Sequence, residues 1–123
     1  MNTRKFSVME RIRSFRFAIA GIEQFMQREH NSWLHFLGSL VVVALAIFTR
    51  ISKNEILALV FAIGFVWVAE LFNTCIEKMM DFISVDPHPE IKFIKDLAAG
   101  AVLIAAVTAL VIGLLIFIPK WIS

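Results

Sequence analysis

The sequence predicts an all-α membrane protein with an N-terminal amphipathic surface helix and three transmembrane helices. Of its 123 residues, 59% are hydrophobic and only 18% are charged, and the mean hydropathy is +0.80. Soluble domains are about 45 to 50% apolar, so this composition excludes an ordinary soluble globule. The length corresponds to one domain. We therefore expect residues 1–123 to form a single integral membrane domain.

The first predicted element is a surface helix within residues 1–30. Between Val8 and Met26, apolar residues recur at steps of four and three, which is the period of an amphipathic helix. Six basic residues lie between Arg4 and Arg28, and they favour contact with an anionic membrane leaflet. The alternative is that the apolar face of this helix packs on a partner protein.

Three apolar stretches follow, at about residues 33–49, 56–83 and 97–119. At about 1.5 Å per residue the third is about 33 Å long, which is enough for a hydrocarbon core about 30 Å thick. Segments of polar residues or prolines at 49–53 and 86–90 separate the stretches. We expect each stretch to form a transmembrane helix.

The distribution of lysines and arginines predicts the orientation, because basic residues concentrate on the cytoplasmic side. The predicted inner side holds Arg4, Lys5, Arg11, Arg13, Arg16, Arg28, Lys78, Lys92 and Lys95, and the outer side holds Arg50, Lys53 and Lys120. We expect a membrane protein whose N-terminus is cytoplasmic and whose C-terminus is outside. The net charge of only +2 argues against a nucleic-acid partner.

A stripe of polar side chains marks the second apolar stretch as a functional site. Glu70 falls inside this stretch, where a carboxylate costs about 2.5 to 3.5 kcal/mol on insertion scales. At about 100° per residue, Asn73, Glu77 and Asp81 share an arc of about 80° with Glu70. Carboxylate oxygens of this kind hold Mg²⁺ together with substrate phosphates. For Glu77 and Asp81 the alternative is an ordinary solvated helix end.

The start of the third stretch adds a cation and a further acid. Lys95 can neutralise a phosphate, and Asp96 can hold that lysine or accept a hydrogen bond from a nucleotide. An interfacial anchor followed by a helix-starting acid is the alternative for this pair. Glu29 is the other acid at the predicted inner interface. The five glycines form neither a P-loop nor a dinucleotide-binding motif, so any nucleotide site is of another kind.

Two segments resemble the signature of the prokaryotic diacylglycerol kinase and undecaprenol kinase family. They are AELFNTCIE at 69–77, followed by Asp81, and KDLAAGAVLI at 95–104. The resemblance implies a homotrimeric bundle with sites shared between subunits. It also implies that the chain is a lipid kinase domain of a bacterial cytoplasmic membrane. Such a domain uses ATP as phosphoryl donor and Mg²⁺ as cofactor to phosphorylate the hydroxyl of a membrane lipid alcohol at the cytoplasmic face.

The resemblance further implies a role for each matching position. Glu70 is expected to be the general base on the lipid hydroxyl, with Asn73 supporting its geometry. The implied site residues are Glu70 and Asn73 for catalysis; Phe17, Glu29, Glu77, Lys95 and Asp96 for the nucleotide; Glu29 and Glu77 for the metal; and Glu70, Asn31, His35 and Ala99 for the lipid substrate.

The acceptor and the class of function retain alternatives. Asn31 and His35 resemble the polyprenol-phosphorylating branch, which favours undecaprenol over diacylglycerol, although a polar helix start bonded to lipid head groups has the same pattern. A small proton-coupled transporter also keeps a membrane-embedded glutamate but does not need the acids and lysine at the interface. A structural subunit of a larger membrane complex accounts only for the hydrophobicity.

Overall fold

The computed structural model describes residues 5–122 and confirms the all-α fold class. Its helices there are α1 (Val8–Arg28), α2 (Asn31–Phe48), α3 (Lys53–Ile83) and α4 (Pro89–Ile122), and residues 5–122 contain no strand. By length and composition α2, α3 and α4 are each able to cross a membrane. Arg4, which counts toward the predicted cytoplasmic charge, lies outside the described residues.

The chain divides into two compact units, residues 1–38 and 39–123. The first unit contains α1 and the beginning of α2. Helix α1 starts after Ser7, whose hydroxyl accepts a hydrogen bond from the backbone N–H of Glu10 at 3.4 Å. Ser7 is thus an N-cap, and Arg28 in the last turn places a positive charge at the negative end of the helix dipole.

The second unit contains the rest of α2 together with α3 and α4, which form an antiparallel pair. At one end of the pair, Lys120 Nζ donates to Glu55 Oε1 at 3.1 Å. At the opposite end, Lys95 Nζ donates to Asp81 Oδ1 at 2.6 Å. We call these the clasp end and the site end. The two ion pairs fix the alignment of the helices along their common length.

The clasp end has a defined helix start and an apolar core. The Ser52 hydroxyl accepts from the Glu55 backbone N–H at 3.2 Å, and the Glu55 carboxylate accepts from the Ser52 backbone N–H at 2.9 Å. This reciprocal capping box begins α3. Beyond it, Leu59 of α3 is buried with Ile116 and Phe117 of α4.

Helix α2 packs on α3 through both apolar and polar contacts. Val42, Leu45 and Ala46 lie against the buried cluster of the clasp end. Closer to the site end, the indole Nε1 of Trp67 donates to Ser39 Oγ at 2.9 Å. This bond joins two helices of apolar composition, where small polar residues are common interhelical contacts.

Helix α4 begins at Pro89, ahead of the apolar stretch expected from about residue 97. The ring Nδ1 of His88 accepts a hydrogen bond from the backbone N–H of Glu90 at 3.1 Å, and Pro89 occupies the first helical position, where its missing N–H is no loss. Hydropathy locates the apolar part of a helix. The polar first turns of α4 therefore lie outside the predicted stretch.

Candidate functional site

Glu70 is the acidic side chain of α3 that is withdrawn from solvent. It is 8% exposed, and it lies in a helix that is apolar enough to cross a membrane. A carboxylate inside a membrane-spanning helix is costly even when it has partners, and such residues are candidates for a functional site by default. Burial places Glu70 where an apolar substrate can bring a polar end group.

Asn73 and Glu77 form a bonded pair on the same face of α3. The amide Nδ2 of Asn73 donates to Glu77 Oε1 at 3.2 Å, as the spacing of four residues permits. The other polar atom of this amide, Oδ1, is buried and has no hydrogen-bond partner among the described residues. A buried acceptor without a donor costs about 1 to 3 kcal/mol. The Asn73 oxygen is therefore poised to accept from a hydroxyl or to face a cation.

The structure pairs the two lysines of the α4 start with different acids. Lys95 contacts Asp81 of α3 at 2.6 Å, whereas Lys92 Nζ contacts Asp96 Oδ2 at 2.5 Å within α4. Adjacent residues of a helix point about 100° apart, which separates Lys95 from Asp96. The expectation that Asp96 holds Lys95 is thus wrong, because Asp96 pairs with Lys92 instead.

An open cleft of about 690 Å³ lies at the site end. Asp81 and Lys95 line one part of it, and His88, Lys92 and Asp96 line another. This volume is in the range of small-molecule sites. Because the cleft carries two lysines among its acids, it has groups for the phosphates and for the hydroxyls or amines of one ligand.

Several predicted site residues belong to the first unit. Ser32 is fully buried between α1 and α2, and its hydroxyl donates to the backbone oxygen of Glu29 at 2.6 Å. This bond fixes the corner that carries Glu29. Phe17 is 72% exposed and lines a pocket of about 520 Å³ with Arg11 and Arg13.

The remaining lipid-site predictions fall on α2 and α4. Asn31 is exposed at the first position of α2, and His35 follows one turn later and is half-buried. On α4, Ala98 is buried and Ala99 is exposed. The assembly of Phe17, the α2 residues and Glu29 with Glu70 into one site stays a prediction.

The oxygen donors of α3 fit Mg²⁺. Among residues 5–122 no group of three or more histidines, cysteines or acids is arranged to hold a metal ion. Mg²⁺ rarely uses such an all-protein cage, and it is usually held by one or two carboxylates and substrate phosphates. Glu77, oriented by Asn73, and the buried Asn73 oxygen are hard donors of the kind that this ion takes.

Sequence reasoning missed three contacts around the site. Lys92 and Asp96 are four residues apart, which is the usual spacing of ion pairs on a helix, so this pair could have been predicted from the sequence. A serine at a helix start also signals a local hydrogen bond, as at Ser32. The bond from Trp67 to Ser39 joins positions far apart in the chain, and no local pattern announces it.

Comparison with known proteins matches the chain to one family of lipid kinases. The sequence model of the prokaryotic diacylglycerol kinase family matches residues 16–117. A Bacillus subtilis protein named undecaprenol kinase is 38% identical over 108 residues, which cover 88% of this chain and 88% of the relative. A Synechocystis protein named diacylglycerol kinase is 31% identical over 111 residues, which cover 89% of this chain and 63% of the relative. The family match contains every predicted site residue.

Proposed function

The chain belongs to the prokaryotic diacylglycerol kinase family and is a lipid kinase, and from this premise we propose that it phosphorylates undecaprenol. The donor in this proposal is ATP, the metal cofactor is Mg²⁺, and the reaction takes place at the cytoplasmic face of a bacterial membrane. The observation that carries the proposal is the buried carboxylate of Glu70, on the same helix face as the Asn73–Glu77 pair.

The order of groups along α3 matches the order that the reaction needs. Glu70 lies seven residues, or about 10.5 Å along the helix axis, before Glu77, and Asp81 follows one turn further on. A lipid alcohol brings its hydroxyl from the apolar side, and ATP brings its phosphates from the cleft at Asp81 and Lys95. The two substrates would meet between Glu70 and Glu77.

Glu70 acts as the proton acceptor in this scheme. The oxygen of the lipid hydroxyl forms a bond to the γ-phosphorus, and the bond between that phosphorus and the oxygen bridging to the β-phosphate breaks. The hydroxyl proton goes to the Glu70 carboxylate, and ADP leaves with the bridging oxygen. Such transfer depends mainly on positioning and on neutralising oxygen charge.

The nucleotide contacts in this proposal are those that the family resemblance implies. Lys95 neutralises phosphate charge, Asp96 contacts a nucleotide donor group, and Phe17 stacks on the base. Glu29 and Glu77 hold Mg²⁺, which when bound supplies positive charge to the phosphate oxygens. Asn73 keeps one Glu77 oxygen oriented through the bond at 3.2 Å.

The acceptor is assigned to undecaprenol on two grounds. The relative named undecaprenol kinase is matched at 38% identity over most of both chains, whereas the one named diacylglycerol kinase is matched at 31% and over 63% of its length. The second ground is that Asn31 and His35 at the start of α2 resemble the polyprenol-phosphorylating branch. We assign these two residues to the lipid end group, and Ala99 leaves room beside it. Diacylglycerol is the alternative acceptor because the second relative carries that name.

We place the site in a homotrimer with shared sites. Many large apolar side chains of α2 to α4 are exposed in the single chain, so neighbouring subunits and lipid have surface to cover. In the membrane, α1 lies on the cytoplasmic surface, the N-terminus is cytoplasmic and the C-terminus is outside. This orientation agrees with the excess of basic residues on the cytoplasmic side.

The proposal is tested by label transfer. Purified protein in detergent is incubated with γ-labelled ATP, Mg²⁺ and an equimolar mixture of undecaprenol and dioleoylglycerol. We expect label mainly in undecaprenyl phosphate and no transfer when the Mg²⁺ is chelated. Label in phosphatidic acid alone would refute the acceptor, and label in neither lipid would refute the activity.

A further inference from the structure

A hydrogen bond between α2 and α3 lies next to the proposed general base. The indole Nε1 of Trp67 donates to Ser39 Oγ at 2.9 Å, and Glu70 follows Trp67 by three residues. Residues at this spacing are neighbours on one helix face. Side chains of a helix lean toward its N-terminus, so the Glu70 side chain lies over the turn that contains Trp67. The bonded indole thus borders the space in front of Glu70.

An aliphatic cavity lies about one helical turn from this bond on the same pair of helices. It has a volume of about 270 Å³, and all its lining side chains are valine, alanine, isoleucine or leucine. On α2 it begins at Val42 and Val43, one turn beyond Ser39, and on α3 it reaches Ile63, one turn before Trp67. Glu70, the Trp67–Ser39 bond and the cavity thus follow one another along the line where α2 and α3 meet, which we call the seam.

We propose that this seam binds the hydrocarbon tail of an isoprenoid alcohol, with the Trp67–Ser39 bond selecting against acyl esters. The inference rests on the proposed function, since it takes Glu70 as the end of the seam where the hydroxyl lies. The distance from Glu70 to Ile63 is about 10.5 Å along the helix axis, so the first isoprene units of the tail pass Trp67 and reach the cavity.

The chemistry of the two acceptors explains the selection. A polyprenol has only hydrocarbon next to its hydroxymethyl group, and this hydrocarbon lies against aromatic and aliphatic side chains without loss of hydrogen bonds. A diacylglycerol has ester carbonyls within a few atoms of its hydroxyl, and each carbonyl loses water on entering the seam. Because the indole N–H is committed to Ser39, it does not serve as the donor that these carbonyls need.

Two variants test the selecting bond, with the ratio of kcat/KM for undecaprenol to kcat/KM for dioleoylglycerol as the readout. Ser39→Ala removes the acceptor and leaves the indole N–H available to an ester carbonyl, so we expect the ratio to fall about fivefold. Trp67→Phe keeps an aromatic side chain and has no N–H, so we expect the ratio to stay within about twofold of the wild type. An unchanged ratio in Ser39→Ala, or an equal fall in both variants, would overturn the selecting role.

A second pair of variants tests the tail site. Val43→Phe fills the cavity from α2, and we expect the KM for undecaprenol to rise about tenfold with kcat little changed, because only substrate binding is weakened. Val41→Phe makes the same exchange on α2 outside the cavity lining and should leave KM unchanged. Equal KM values for the two variants would overturn the tail site.

The wild type in the same assay separates this inference from the proposed function. If the wild type phosphorylates undecaprenol and the variants of each pair behave alike, the proposed role of the seam is wrong and the kinase assignment still holds. A wild-type protein that phosphorylates neither lipid overturns the proposed function itself. Melting temperatures of all four variants are measured alongside, and a changed ratio at an unchanged melting temperature supports the seam.

Discussion

The two ends of the α3–α4 pair differ in how they use polar residues. At the clasp end, Glu55 is bonded both to Ser52 and to Lys120, and Leu59 and Phe117 are buried beside it. The site end keeps its polar groups in a cleft, and among residues 5–122 the buried Asn73 oxygen has no hydrogen-bond partner. The same two helices are thus packed together at the clasp end and present polar groups to substrates at the site end.

This difference has a physical reason. A fully satisfied polar group is stable and offers nothing to a ligand, whereas a buried group without its bond gains that bond when substrate arrives. The clasp end keeps α3 and α4 aligned, so that Lys95 of α4 meets Asp81 of α3 at the site end. Variants at the two ends should therefore separate loss of chemistry from loss of stability.

The largest effect on turnover is expected at the site end, from Glu70→Gln. The amide keeps the size of the side chain but accepts no proton, and a general base contributes about a hundredfold to ten-thousandfold. We expect kcat to fall about a thousandfold with ATP binding retained. The matched control is Glu23→Gln on the exposed surface of α1, which should keep wild-type turnover. Equal turnover in both variants would remove Glu70 from the chemistry.

A smaller effect is expected from Glu77→Gln, which removes the charge that Asn73 orients. Loss of a residue that only supports a metal ligand typically weakens metal affinity about tenfold to a hundredfold, and loss of a ligand weakens it at least as much. We expect the Mg²⁺ concentration for half-maximal activity to rise by about that factor, as measured by Mg²⁺ titration at fixed ATP. A titration curve identical to that of the wild type would contradict the assignment of Glu77 to the metal.

Replacing each of the two cleft lysines in turn shows which one lies nearer the phosphates. Lys95 lies between helices and is less exposed than Lys92, so its charge is less screened. We expect Lys95→Met to raise the KM for ATP about tenfold and Lys92→Met to raise it about twofold. Steady-state kinetics with varied ATP measures both. The reverse order would move the phosphates toward Lys92.

The smallest effect on turnover is expected at the clasp end, from Phe117→Ala. Removing a buried aromatic side chain leaves a cavity, which costs about 3 kcal/mol of stability in a packed core. We expect a lower melting temperature in detergent and a KM for ATP equal to that of the wild type. Leu114→Ala, at a half-exposed position of α4, is the control and should melt closer to the wild type.

The sequence was sufficient for the fold class and for the polar stripe of α3, because helix period and hydropathy are local properties. A helical period of 3.6 residues predicts that Glu70, Asn73 and Glu77 lie on one face of α3. The structure shows that Asn73 and Glu77 are hydrogen-bonded. Hydropathy alone does not mark the polar start of α4, although Pro89 after a histidine is a helix-start signal.

Contacts between helices were beyond the reach of the sequence. The bond of Lys95 to Asp81 depends on how α3 and α4 align, and the bond of Trp67 to Ser39 depends on how α2 lies on α3. A local pattern predicts neither alignment, since α2, α3 and α4 are each apolar over most of their length. For the same reason, the approach of Glu29 and Phe17 to Glu70 remains a prediction.

The most direct test of the separation between chemistry and packing measures kcat and melting temperature for Glu70→Gln and Phe117→Ala in one detergent preparation. We expect Glu70→Gln to lose turnover about a thousandfold and to melt like the wild type. We expect Phe117→Ala to melt at a lower temperature and to keep the wild-type kcat below its melting transition. A Glu70→Gln protein that still phosphorylates undecaprenol at the wild-type rate would contradict it.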